Sequence, residues 1–309
     1  MRMKKPVQGI IPPIVTPLTE DNQLDVAGLE RLVEHLIVGG VHGIFILGTT
    51  GEAPSLTYEM RKEVIDRVCR QVAGRSIVMT GITDTSFEGS LNIAEYAHKA
   101  GCDSVVVAPP YYIPITQSEL IIYFEHLIPR LPLPLMLYNM PGYTKLHMEI
   151  ETVQAAADLG AIGIKDSSGD MLYLFSLIDA FRQNPDFAII SGTELFIPET
   201  IIHGGHGAVC GGANLFPRLF VDYYEASVNR DYATIEVLRQ KVMHLYNTIY
   251  NVSPNASKYT KGIKCALAAM GICSDYMAMP LQRYNAAERL VIKQYIEEMS
   301  DYSVAETRH

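Results

Sequence analysis

Eight short apolar runs constrain this chain more than any other feature. They fall at residues 9–15, 43–47, 76–81, 104–108, 133–137, 162–165, 187–191 and 208–210. Each is bounded by turn residues, and such runs read as buried strands. Amphipathic stretches lie between them, opened by cap residues at Asp25, Thr57, Ser86, Thr116 and Asp170. The Thr116–Glu119 spacing is that of a capping box. Strand–helix alternation argues a parallel sheet with crossover helices. Eight such units in this length suit an α/β fold closed into a (β/α)8 TIM barrel. Pro12 and Pro13 mark the first run as bent or at an edge, because proline gives no ladder hydrogen bond. Beyond Pro217 no strand pattern recurs, and residues 218–299 read as helices, the last opened by Asn285. The expected organisation is a catalytic barrel over residues 1–216 and a C-terminal helical extension over 217–309, packed on it.

In such a barrel the chemistry sits at the C-terminal ends of the strands. The residues expected to converge there are Thr49, Thr50, Tyr111, Tyr112, Tyr138, Lys165, Ser167, the stretch 191–194 and Gly211–Gly212. Lys165 ends the sixth run, and lysine is rarely buried without a partner. It is either a desolvated nucleophile that forms a Schiff base with a carbonyl substrate, or a strand-end side chain that reaches solvent or pairs with Asp166. Tyr138 ends the preceding run and is placed to shuttle protons, although a packed aromatic would look the same. Gly48-Thr49-Thr50-Gly51 offers backbone N–H groups and two hydroxyls, a small nest for a carboxylate; a plain strand-to-helix turn would also account for it. What favours the chemical reading is that all of these fall at one mouth.

A net charge of −9 argues against a nucleic-acid partner. The nine histidines and five scattered cysteines contain no paired metal-ligand pattern, so no metal is expected. An odd cysteine count in a long chain suits a reducing, cytoplasmic setting. No apolar run approaches the length of a membrane span, and no signal-peptide pattern is read at the N-terminus.

Three motifs resemble the pyruvate-dependent class I aldolase superfamily of N-acetylneuraminate lyase and dihydrodipicolinate synthase: Gly48-Thr49-Thr50-Gly51-Glu52, Tyr138-Asn139-Met140-Pro141 and Gly163-Ile164-Lys165-Asp166. Pro110-Tyr111-Tyr112 and Gly205-His206-Gly207-Ala208 add to the likeness, which runs from about Gly9 to Met279. The resemblance implies a homotetramer built as a dimer of dimers, with no metal or organic cofactor. It implies Lys165 as the Schiff-base residue, Tyr138 as the proton shuttle, and Thr49 relaying protons toward a neighbouring subunit's tyrosine, for which Tyr112 is the better match. Thr50 and Gly48 would hold the carboxylate of pyruvate, and Val209 would line the pyruvyl pocket.

The branches of that superfamily differ in the second substrate. The synthase branch carries an arginine in the segment after Tyr-Asn-x-Pro, where this chain has Tyr143, with Lys145 nearby. Tyrosine cannot supply a bidentate charged clamp. Ser167, Thr193 and Glu194 are candidates to hydrogen-bond a hydroxylated chain. The expected activity is therefore cleavage of a 2-keto-3-deoxy sugar acid, or a related 4-hydroxy-2-keto acid, to pyruvate and an aldehyde. The alternatives are dihydrodipicolinate synthase, N-acetylneuraminate lyase, a Schiff-base dehydratase or, remotely, a non-catalytic keto-acid-binding barrel.

Overall fold

Proline has no N–H to give a ladder, and the first strand is short for that reason. The computed structural model describes residues 6–303. In it β1 spans only Gly9–Ile10, and the expected continuation to residue 15 is reduced to an isolated bridge, Pro13 to Phe45. The other strands are β2 (Gly43–Ile46), β3 (Ile77–Gly81), β4 (Ser104–Val107), β5 (Leu135–Asn139), β6 (Gly163–Asp166), β7 (Ala188–Ser191) and β8 (Gly207–Ala208). All pair in parallel, in sequence order from β2 to β8, and β8 pairs with β1. Backbone bonds from His42 N to Ile10 O (2.9 Å), Phe45 N to Pro12 O (3.0 Å) and Ile14 N to Phe45 O (2.9 Å) close the ring between β1 and β2. The fold is a TIM barrel.

Its helices are α1 (Val26–Val38), α2 (Tyr58–Val72), α3 (Phe87–Ala100), α4 (Gln117–Leu127), α5 (Pro141–Thr144), α6 (Ile150–Asp158), α7 (Met171–Ala180), α8 (Ile197–Ile202), α9 (Pro217–Val228), α10 (Tyr232–Asn247), α11 (Lys258–Ala269) and α12 (Ala286–Glu298). The cap residues read from the sequence hold these starts. Asp25, Thr57, Ser86 and Asp170 each accept a backbone N–H of their helix's first turn, and Thr116 and Asn285 form full capping boxes. The two shortest helices, α5 and α8, span too few residues to show a helical period. Helix α9 packs on α8 and on β1, and its N-cap is Phe216, where the expected division of the chain falls.

Side chains alternate across each strand, and this produces two cores. Ile44, Ile46, Val105, Val107, Leu135, Leu137, Ile164 and Ile189 face outward and pack in the layer between sheet and helices. Ile11, Phe45, Met79, Val106, Met136, Tyr138, Ile190 and Val209 fill the inside of the barrel. The interior is thus solid, and only its upper end is free to bind a ligand.

Candidate active site

Register decides which residues meet at that upper end. Lys165 on β6 is paired directly with Tyr138 on β5 and Ile190 on β7. Because β5 runs to Asn139, two residues further than the sequence suggested, Tyr138 lies within the strand and points into the barrel. Lys165 shares that inward parity and is 5% exposed. Its Nζ lies 4.0 Å from the centre of the Tyr138 ring and 5.3 Å from that of Phe45, within cation–π reach of both. Among the described residues no carboxylate forms an ion pair with it. Asp166, one residue on, has the opposite parity. It accepts from Asn139 Nδ2 (2.8 Å), Ser168 Oγ (2.9 Å) and Ser168 N (3.1 Å). Burial raises the Asp166 carboxyl above its ordinary range, and the bonds from Asn139 and Ser168 oppose this. The pairing of Lys165 with Asp166 therefore does not occur, for the plain reason that adjacent strand residues face opposite ways.

The Tyr138 hydroxyl reaches Thr49 Oγ1 at 3.3 Å. Thr49 follows β2 in a turn held by Glu52 N to Thr49 O (3.0 Å) and by Thr16 Oγ1 to Gly51 O (2.7 Å). Gly81 on β3 makes room for this turn, since a Cβ there would lie 2.1 Å from Leu47 O. Among the described residues the N–H groups of Thr49 and Thr50 donate to no protein acceptor, which leaves them available to an anion. Thr50 itself is buried and Thr49 exposed.

Above these residues opens a cavity of about 750 Å³, within the size range of small-molecule sites. Phe45, Gly48, Thr49, Tyr111, Tyr138 and Tyr143 line its barrel side, and Asn255, Ser257, Thr260, Lys261 and residues 280–282 line the other. The second group belongs to the C-terminal extension, and sequence reasoning missed it entirely. A buried ion pair fixes that wall: Lys264 Nζ lies 2.5 Å from Glu52 Oε1 and donates to Tyr276 O at 2.6 Å, while Ala278 N donates to Glu52 Oε2 at 2.8 Å. Among the described residues no group of three or more His, Cys, Asp or Glu side chains is arranged to hold a metal ion, and no helix is long and apolar enough to cross a membrane.

Residues 6–299 match the Dihydrodipicolinate synthetase family. The chain belongs to that family. Among its curated relatives, the 4-hydroxy-tetrahydrodipicolinate synthases of Pseudomonas putida and Cereibacter sphaeroides are 32% and 33% identical, each match covering 89% of this chain and 92% of the relative. A solved dihydrodipicolinate synthase from Bacteroides thetaiotaomicron superposes with a TM-score of 0.93 at 49% identity, over 96% of this chain and all of that one. A prophage protein of the dihydrodipicolinic acid synthase family from E. coli K12, solved in complex with pyruvate, matches with a TM-score of 0.89 at 30% identity, over 95% and 98% of the two chains. This member of the dihydrodipicolinate synthetase family is an enzyme of the carbon–carbon lyase class, within the superfamily of pyruvate-dependent class I aldolases.

The remaining sequence candidates are spread over the family's barrel unevenly. Val209 lies in the inner cluster with Phe45 and Tyr138. Tyr143 lines the cavity and is pushed above its ordinary range by burial and by nearby Tyr138. Lys145, by contrast, is exposed, donates its Nζ to Gly142 O at 2.7 Å and is not among the residues that line the cavity. Tyr112 is 91% exposed with φ +82°, held out from the β4 loop. Ser167 and Thr193 sit half-buried in the turns after β6 and β7, where Ser167 N donates to Asn139 O (2.8 Å) and Thr193 N to Ser191 Oγ (3.1 Å).

Glu194 is placed differently from the expectation of a hydroxyl-binding acid. It is buried behind Gly211–Gly212 rather than on the cavity wall, and both its oxygens are occupied, by Tyr250 OH (2.8 Å) and Gly212 N (3.0 Å). Burial pushes its carboxyl up to about 7, against the bonds from Gly212, Tyr250 and Gly211, which favour the anion. A carboxyl raised above its unfolded value adds stability that is complete below the unfolded value of about 4.5 and lost as pH climbs through 7. Glu194→Gln is therefore expected to remove this one group's contribution to the stability profile, a loss of roughly 3 kcal/mol between pH 4.5 and 7. Denaturant midpoints measured across that range check this, and parallel profiles for the two proteins would count against it.

Proposed function

We propose that Lys165 forms a Schiff base with pyruvate or a 2-keto acid and that the enzyme makes or breaks the adjacent C3–C4 bond. The observation that carries this is the buried Lys165 amine, paired with no carboxylate among the described residues and seated 4.0 Å from the centre of the ring of Tyr138, a residue that lines the cavity. The amine attacks C2 and water leaves, giving an imine that acts as an electron sink. In the cleavage direction Tyr138 takes the proton of the C4 hydroxyl, the C3–C4 bond breaks to release an aldehyde, and an enamine remains. Protonation at C3 and hydrolysis then return Lys165 and free pyruvate. The Thr49 and Thr50 turn, with Gly48, holds the pyruvyl carboxylate, and Val209 packs beside the methyl end.

Thr49 carries protons between Tyr138 and solvent. Tyr112, exposed on its loop, completes the relay in a neighbouring subunit of a homotetramer. No cofactor beyond the lysine itself enters this scheme, and the setting is cytoplasmic. The preferred reaction is cleavage of a 2-keto-3-deoxy or 4-hydroxy-2-keto acid, in which Ser167 and Thr193 contact the hydroxylated chain. Condensation of pyruvate with aspartate semialdehyde is the second reading. The names of the curated relatives favour it, and Tyr143 in the place of the synthase branch's arginine counts against it.

Incubation with pyruvate and borohydride, followed by peptide mass mapping, tests the common step. A reduced pyruvyl adduct on Lys165 is expected, and an unlabelled Lys165 would sink the proposal. Turnover assays with aspartate semialdehyde and with a panel of hydroxylated keto acids separate the two readings. Tyr138→Phe is expected to keep the pyruvyl adduct but lower kcat by about 10²–10³, the scale of a lost proton-transfer group. A variant within threefold of wild type would remove Tyr138 from the relay.

A further inference from the structure

Two charged side chains, Glu52 and Lys261, are among the described residues that line the cavity. The Glu52 carboxylate is already taken, by Lys264 at 2.5 Å and by the Ala278 N–H at 2.8 Å. Lys261 forms no ion pair among the described residues. The wall of the cavity therefore carries an ammonium that the protein itself does not neutralise, and in a partly enclosed space such a charge draws an anion.

Helix geometry fixes where that charge sits. Ser257, Thr260 and Lys261 line the cavity, and Lys264 follows on the same face of α11, three residues after Lys261. The helix is held from the side by Gly211, where a Cβ would lie 2.0 Å from the Tyr259 hydroxyl. It is held below by Lys264, whose partner Glu52 directly follows the Thr49–Thr50–Gly51 turn. Lys261 thus stands roughly 4.5 Å along the helix axis from the anchored lysine. It faces the same space as the turn whose N–H groups are open to a first carboxylate.

We infer that Lys261 recognises a second carboxylate, at the far end of the keto acid or on the aldehyde partner. A single ammonium on a wall that also carries Ser257 and Thr260 suits the one charge of a carboxylate better than the two of a phosphate. The C-terminal extension then supplies a charge that Tyr143 cannot, and among the hydroxylated keto acids proposed above those ending in a second carboxylate are favoured. The inference rests on the Schiff-base reading only for the placement of the keto end.

Calorimetric titration tests it with matched keto acids, 2-oxoglutarate against 2-oxopentanoate and 2-oxoadipate against 2-oxohexanoate. The dicarboxylate of each pair is expected to bind wild type at least about tenfold more tightly. Lys261→Met should erase that preference, and Lys261→Arg should retain it. Equal binding within both pairs, or a preference that survives Lys261→Met, would overturn the inference. Borohydride trapping of pyruvate on Lys165 in the wild-type protein reports separately on the Schiff-base reading, so the two can fail independently.

Discussion

Lys165→Ala is expected to take up no reducible adduct from pyruvate and to lose turnover by roughly 10⁴–10⁶ in kcat, the scale seen when a covalent nucleophile is removed. β6 carries its side chains alternately in and out, so Lys165 faces the inner barrel while Asp166 is spent on Asn139 and Ser168. The neighbouring strands present Tyr138 and Ile190 at the same level, and neither is a nucleophile of comparable strength. Alanine at 165 leaves the cavity, the Thr49–Thr50 turn and Tyr138 in place, so on the proposed mechanism pyruvate can still enter but has nothing to condense with. Lys165→Arg sharpens the test, because the guanidinium keeps the charge yet stays protonated and cannot attack C2. Adduct mass and kcat of both variants, with folding checked by circular dichroism, give the answer. If either variant retained more than about a hundredth of wild-type turnover, the nucleophile would have to lie elsewhere.

The alternation of apolar runs made the barrel readable, and with it the level at which Lys165, Tyr138 and Thr49 meet. That inference needed only strand order and the period of two, both of which are local. Two boundaries shifted for local reasons as well. Proline shortened β1, and β5 ran through Tyr138 because a tyrosine that fills the barrel interior can remain in the ladder. The far wall of the cavity was not readable. Glu52 and Lys264 are separated by more than two hundred residues, and the spacing of Lys261 and Lys264 on α11 looks like any solvated helix face until Lys264 is found fully buried. Glu194 failed in the same way. Its position after β7 was correct, but the partners that turn it inward, Tyr250 and the Gly212 N–H, come from segments whose packing has no local signature.

Breaking the Glu52–Lys264 pair is expected to cost the fold more than any other single change considered, about 3–5 kcal/mol for Lys264→Met or Glu52→Gln alone. Lys264 is 0% exposed and Glu52 6%. Burial pulls the Lys264 amine below its ordinary range and the adjoining Glu52 opposes that pull, so Lys264 relies on Glu52 to stay charged. Removing one leaves the partner's charge buried without compensation. The double variant Glu52→Gln/Lys264→Met removes both charges, keeps an oxygen for the Ala278 N–H, and is expected to recover most of the loss. Denaturant midpoints for the four proteins form the cycle, and additive losses would mean that the pair is not coupled. The same pair ties the Thr49–Gly51 turn to the helix that carries Lys261 and, through Ala278, to the cavity-lining residues 280–282. Each single variant should therefore weaken dicarboxylate binding more than pyruvate binding. The proposed pyruvyl half of the site is built on the barrel strands, whereas the proposed distal half lies on α11, which this buried contact helps hold to them.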